Sequence, residues 1–206
     1  MATGLKKKFD LMLARDCRLA KSVSLKVIKP KPISVWEMLI PVIFILSYMK
    51  AKDRREIFAQ NLLFTKKLAL EAAFGIVKKK HSIEDVTIEI KTKTDALLSS
   101  MPTDVYSDEI RQEQMKEIDL LIEHYGKLMQ AEGEDYASLV IDAYQTKENY
   151  AAFQGKLKTA EKQVAQAAQQ TLGDKADPTM AARIEAATNK LRLAEVERIF
   201  SSHSRR

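Results

Sequence analysis

Residues 33–49 read ISVWEMLIPVIFILSYM, the one run in the chain that is apolar on every side. It carries a single charge, Glu37, and a single proline, Pro41. Lys29 and Lys31 precede it, and Lys50, Lys52, Arg54 and Arg55 follow it. As a helix this run reaches about 25 Å, somewhat less than the ~30 Å of a hydrocarbon core. Pro41 removes a backbone donor and favours a kink, and Ile40, Val42, Ile43 and Ile45 lose rotamer freedom in a helix. Three readings fit these facts: a short tilted span, a shallow segment that enters and leaves on one side, and a buried core helix. Apolar runs of this length are often core helices. The basic flanks tip the choice to the membrane, as do Trp36 and Tyr48 near the two ends, where interfacial aromatics collect. Trp36, Leu39, Ile40, Val42, Ile43, Phe44, Ile45, Leu46 and Tyr48 are then expected to contact lipid. Glu37 lies near the edge of the run, where a charge costs little and can be solvated or paired with Lys29 or Lys31.

Charge is distributed in the same sense. Residues 1–80 hold 18 basic and 6 acidic side chains, residues 81–206 hold 16 and 22. A basic part joined to an acidic part implies that the two face different partners. Anionic lipid attracts basic clusters at about 1 kcal/mol per residue near the surface; nucleic acid competes through the same phosphate attraction. The head-group set expected from position is Lys6, Lys7, Lys8, Arg15, Arg18, Lys29, Lys31, Lys50, Lys52, Arg54 and Arg55. Few aromatics stand among these cations, which argues against single-strand binding.

The rest of the chain reads as helix. Only 6 Gly and 5 Pro are present, too few for the turns of an all-β protein, while Ala, Leu, Lys, Glu and Gln favour helices. Residues 5–20 form an amphipathic pattern with Leu5, Phe9, Met12, Leu13 and Ala20 on one face and the lysines and arginines on the other. That stripe suits a membrane surface or the protein's own core equally. Residues 22–32 read as extended, because Pro30 and Pro32 disfavour helix in the residues before them. Helix is expected again from Ala51 to Lys80, so broadly apolar that it needs more than one neighbour. From Ser82, residues 86–90 alternate like a strand, yet Ile83, Val86, Ile90, Leu97 and Met101 follow a helix; a strand without a partner is unstable, which selects helix. A helix over 104–131 carries the stripe Ile118, Leu121, Ile122, Tyr125, Leu128 and Met129.

The longest regular pattern runs from Tyr136 to Thr171. Tyr136, Leu139, Ala143, Thr146, Tyr150, Phe153, Leu157, Ala160, Val164, Ala167 and Thr171 alternate at spacings of three and four, which predicts one heptad seam. Its many alanines and threonines favour close packing within the chain. Gly173 is placed to end that helix; Asp177 and Pro178 are placed to cap and start another.

A search for chemistry finds little. His81, His124 and His203 are the only histidines, and none has a glutamate three residues before it, as carboxylate-bridged di-iron sites require. Neither glycine-rich phosphate cradle nor a nucleophile elbow occurs. Cys17 is the sole cysteine, so no intramolecular disulfide can form; its basic neighbours alone do not make it reactive. No secretory leader is evident, since the apolar run begins too far in.

The expectation is therefore an all-α protein. Residues 1–50 make a basic, membrane-interacting part, and residues 51–206 an antiparallel helical bundle or coiled coil, acidic after residue 80. It points to a non-catalytic scaffold, adaptor or assembly factor on the cytoplasmic side of a membrane, monotopic or with one short span, needing no cofactor. A protein partner is expected on a helical face. The alternatives are a membrane-associated enzyme whose site assembles only in the fold, and a basic nucleic-acid-binding protein.

Overall fold

The first helix is longer than its local sequence predicts. α1 runs Ala2–Val27, through residues expected to be extended. The prolines restrict only the residues next to them, and Val23, Val27 and Ile28 continue the α1 stripe into a buried cluster with Phe58 and Met180. Burying each such side chain gains about 1.5–3 kcal/mol, against a helix-propensity cost of a few tenths for a β-branched residue. Tertiary burial wins.

A computed structural model describes residues 2–28, 54–78, 88, 90, 92, 107–173 and 178–203. The described helices after α1 are α2 (Arg54–Val77), α3 (Asp108–Gln130), α4 (Tyr136–Tyr144), α5 (Lys147–Leu172) and α6 (Pro178–His203). No strand occurs among the described residues. Residues 88, 90 and 92 are helical, and the Thr92 hydroxyl donates to the Ile88 carbonyl at 2.8 Å. Ile88 is exposed and Ile90 buried in the core, the opposite of the shared face that a strand pairing 86, 88 and 90 would give them. The expected cap at Ser82, the cap at Asp177, the turn at Pro102 and the apolar run 33–49 lie outside the described residues.

Two faces of α2 are covered, as its breadth demands. α2 packs against α1 and α3, α3 also against α5, and α6 against α1 and α5. The contacts pair early residues of one helix with late residues of the next. Phe9 meets Phe74 edge-on at 5.1 Å; the Ser24 hydroxyl donates to the Arg55 carbonyl at 2.7 Å; Ser107 and Thr171 hydroxyls lie 2.7 Å apart. A shared core takes Phe9 and Met12 from α1, Leu70 from α2, Leu121, Tyr125 and Leu128 from α3, Leu139 from α4, Tyr150 and Leu157 from α5, and Ile199 from α6. The α1 stripe thus packs on the protein's own core.

The seam at 136–171 corrects the sequence reading. Its large members, Tyr136, Leu139, Tyr150, Phe153, Leu157 and Val164, are buried, but they belong to two helices. Gln145 takes φ 64°, the only non-glycine residue with positive φ among those described. Its N–H still bonds the Ile141 carbonyl at 2.8 Å, and the Thr146 N–H bonds Tyr144 at 2.7 Å. Thr146 then caps α5, accepting from the Asn149 N–H at 3.2 Å, while the Asn149 amide donates to the Tyr144 carbonyl at 3.0 Å. A side-chain cap in place of a continued helical bond is what residues of this type offer. The sequence Thr-x-x-Asn carried that signal, masked by the apolar period running across it.

The turn before α4 depends on a glycine. Asp135 and Ser138 form a reciprocal cap, the Ser138 N–H donating to Asp135 Oδ1 at 2.8 Å and the Asp135 N–H to Ser138 Oγ at 3.1 Å. Gly133, at φ 154°, lies so close that an added Cβ meets Ser138 Cβ at 2.8 Å and the Leu139 nitrogen at 2.9 Å. Gly133→Ala is expected to cost about 1–3 kcal/mol through this clash and the unfavourable backbone region. Urea unfolding of the variant checks it; a midpoint equal to that of the native chain would contradict the close approach.

Candidate functional site

The described members of the expected head-group set are spread along α1 and the start of α2. Lys6 pairs with Asp10 at 2.9 Å and lies over the Phe9 ring. Lys7 pairs with Glu134. Lys8 Nζ donates to the carbonyls of Met129 (3.1 Å) and Ala131 (2.5 Å), a cation at the C-terminus of α3 where the helix dipole favours it. Arg18 is exposed. At the far end of α1, some 30 Å away at ~1.5 Å per residue, Arg55 Nε donates to the Ile28 carbonyl at 3.2 Å. Arg183 donates to the Val27 carbonyl, so two cations satisfy the last carbonyls of α1. Arg54 opens α2. Lys29, Lys31, Lys50, Lys52 and the lipid-contact residues Trp36 to Tyr48 lie outside the described residues.

Arg15, read from sequence as an outward cation, is 8% exposed. It donates from Nη1 to Asp16 Oδ1 at 2.7 Å and from Nε to Glu195 Oε1 at 3.1 Å. Tyr125 donates to the other Asp16 oxygen at 2.6 Å. Burial, then the Asp16 charge, push the Tyr125 phenol well above its usual range. The helical position explains the error: Arg15 stands three after Met12 and four before Leu19, on the apolar stripe. Beside this node His124 is buried, stacked on Phe153 with ring centroids 4.2 Å apart and its Nδ1 2.7 Å from the Tyr144 hydroxyl. Burial depresses its pKa well below that of free imidazole, with Arg15 and Lys66 adding to the effect. It is a packed, neutral core histidine, and among the described residues no cluster of His, Cys, Asp and Glu is arranged to hold a metal.

A second charged group adjoins a cavity of about 270 Å³ between α1, α2, α3, α5 and α6, and its members Lys66, Glu117 and Glu161 line it. Lys66, Glu117 and Arg192 are at most 8% exposed. Arg192 grips Glu161 through both terminal nitrogens, at 2.7 and 2.6 Å, a bidentate arrangement that adds strength and fixes orientation. Lys66 Nζ donates to the same carboxylate at 3.3 Å. Burial works against the Glu161 charge, but Arg192 and Lys66 prevail and hold it at about 2. Glu117 fares oppositely: burial, then repulsion from Glu161, push it up to about 7, despite the pull of Lys66 and Arg192. Two carboxylates competing for one pair of cations are driven apart in this way. Leu19, Val23, Leu62 and Ile184 form apolar wall, and Asn61 Nδ2, buried at the same cavity, has no hydrogen-bond partner among the described residues.

None of these four charged residues stood out in the sequence. Glu117 could have been found: Gln114, Glu117 and His124 fall at core spacing among Ile110, Ile118, Leu121 and Leu128, and all three are buried. Lys66, Glu161 and Arg192 needed the juxtaposition of three helices. Compared with protein-family models, with curated proteins and with solved structures, nothing matches this chain.

Proposed function

We propose that the protein is a non-catalytic helical adaptor that attaches to the cytoplasmic face of a membrane through residues 33–49 and presents an antiparallel helical bundle to a protein partner. One observation carries the membrane part. The end of α1 and the start of α2, which flank residues 29–53, are tied together by Arg55 Nε on the Ile28 carbonyl and the Ser24 hydroxyl on the Arg55 carbonyl. The described residues on either side of 29–53 are therefore held together at one point of the structure. That favours a segment entering and leaving one leaflet over a full span: after a crossing, residues 50–53 reach at most about 14 Å, against the ~30 Å they would have to recross. Leu25 and Lys26, both exposed at the same end, add an apolar contact and a cation there. No helix among the described residues is long and apolar enough to cross a membrane. The pairwise contacts of α1 with α2 and of α5 with α6 support the bundle, with its seam buried within the chain.

Replacing 33–49 by a short Gly/Ser linker tests the reading, since a short linker can join flanking residues that are already held together. The full chain is expected to sediment with vesicles containing anionic lipid and to lose part of that binding in high salt, through screening; the linker variant is expected to stay in the supernatant with an unchanged helical spectrum. A full chain that remains soluble and monomeric beside anionic vesicles would overturn the proposal, and salt-sensitive binding to DNA in its place would favour the nucleic-acid alternative.

A further inference from the structure

The cavity lined by Lys66, Glu117 and Glu161 has a composition that packing alone does not require. Its apolar wall comes from Leu19 and Val23 of α1, Leu62 of α2 and Ile184 of α6. At about 270 Å³ it lies near the lower limit of small-molecule sites. Asn61 Nδ2 is a buried donor with nothing to donate to among the described residues, an unfavourable state that an acceptor relieves. We propose that this cavity binds a small amphiphilic monocarboxylate, its carboxylate at the Lys66 and Asn61 side and its aliphatic body against Leu19, Val23, Leu62 and Ile184. The site stands on different residues from the membrane attachment and does not depend on it.

Lys66 and Asn61, both donors in the lining, call for an acceptor as the ligand's head group, and the charges in and beside the lining favour an anionic one. Two cations, Lys66 of α2 and Arg192 of α6, both engage one acid, Glu161 of α5. Glu117 of α3 is the second acid and Glu185 of α6, paired with Lys158, the third, and α1 contributes Leu19, Ala20 and Val23, which carry no charge. Burial and Glu161 raise Glu117 to about 7, so near neutral pH it is only partly ionised and the cations are incompletely balanced. Lys158 and Lys162 stand at the rim, Lys158 beside Glu185 at 3.2 Å. An entering carboxylate completes the balance at Lys66, and its charge further disfavours ionised Glu117, so binding draws a proton onto Glu117. An ammonium ligand would lie beside the buried Lys66 ammonium, which repels it.

Calorimetric titration of the full chain, without lipid, with octanoate, octanol and octylamine reads the proposal directly. Octanoate is expected to bind at least about tenfold tighter than octanol, as a charge-assisted contact implies, with octylamine weakest. Titrations in buffers of different ionisation heat are expected to show net proton uptake with octanoate near neutral pH. Leu62→Trp, which fills the cavity with an apolar ring, is expected to abolish octanoate binding while retaining the native helical spectrum, and Asn61→Ala to weaken it. Equal affinity for octanol and octanoate, tighter binding of octylamine, no binding at all, or octanoate binding that survives Leu62→Trp would each overturn the assignment. The last would locate the amphiphile elsewhere, on the apolar segment included.

Discussion

Arg15→Met is expected to destabilise the protein by on the order of 3–5 kcal/mol. The guanidinium is the sole cation bridging Asp16 and Glu195 in the observed bonds, and Asp16 is 1% exposed. Removing one partner of a buried pair leaves an uncompensated buried charge, whose desolvation dominates the loss. Methionine keeps most of the aliphatic volume, so little of the cost comes from a cavity. The bond from Tyr125 remains on Asp16 and limits the damage on that side. A second substitution, Glu195→Gln, is expected to restore part of the loss in the Arg15→Met background while costing stability in the native one. Urea unfolding of the four proteins measures both terms. A loss below about 1 kcal/mol, the range of an exposed ion pair, would contradict the burial of Arg15.

The second large effect concerns the two carboxylates of the cavity, which are expected to respond oppositely. Glu161→Gln leaves Arg192 and Lys66 buried without their shared anion and is expected to cost on the order of 3–5 kcal/mol at neutral pH. Glu117→Gln is expected to stabilise above neutrality. The Glu117 carboxyl, ordinarily near 4.5, is raised to about 7 in the fold. Its contribution is therefore fully present below about pH 4.5 and lost as pH rises through about 7. Glutamine cannot ionise, so the stability difference between Glu117→Gln and the native chain is expected to be small at pH 5 and to favour the variant at pH 8, by on the order of 3 kcal/mol for a shift of this size. Glu161 follows the reverse sign: depressed to about 2, it stabilises above about 4.5 and its contribution is lost as pH falls toward 2. His124, depressed by burial, also loses stability as pH falls below about 6.5, which offsets the Glu117 slope in the native protein. Taking the difference between variant and native curves removes the His124 term. A difference independent of pH between 5 and 8 would mean that Glu117 is not the group that takes up the proton.

The all-helical character was legible in the residues themselves. Few glycines and prolines, and apolar residues recurring at three and four, place α3, α6 and the end of α5 close to where the structure has them, because a helix must bury one stripe whatever its neighbours are. Gly173 ends α5 as expected: its N–H bonds the Gln169 carbonyl at φ 54°, a conformation that glycine adopts without steric penalty. Three things required the tertiary structure. The end of α1 moved to Val27 because Phe58 and Met180, distant in sequence, bury Val23 and Val27. The break at Gln145 and Thr146 was hidden because the apolar period continues in phase across it, and period alone cannot tell one helix from two. The charged cavity and the Arg15 node depend on which helices meet. Arg15 and Glu117 lie on buried stripes by spacing alone, but whether a charge on such a stripe turns outward, is neutralised or finds a partner is decided by residues on other helices. Glu195 and Tyr125 meet the Arg15–Asp16 pair, and Glu161, Lys66 and Arg192 surround Glu117. The sequence determined the helices and their apolar faces, since both follow from local geometry and hydrophobicity. The partner of each buried charge, and hence its pKa, was decided only by the fold, since Coulomb interaction and desolvation depend on distances that chain order does not contain.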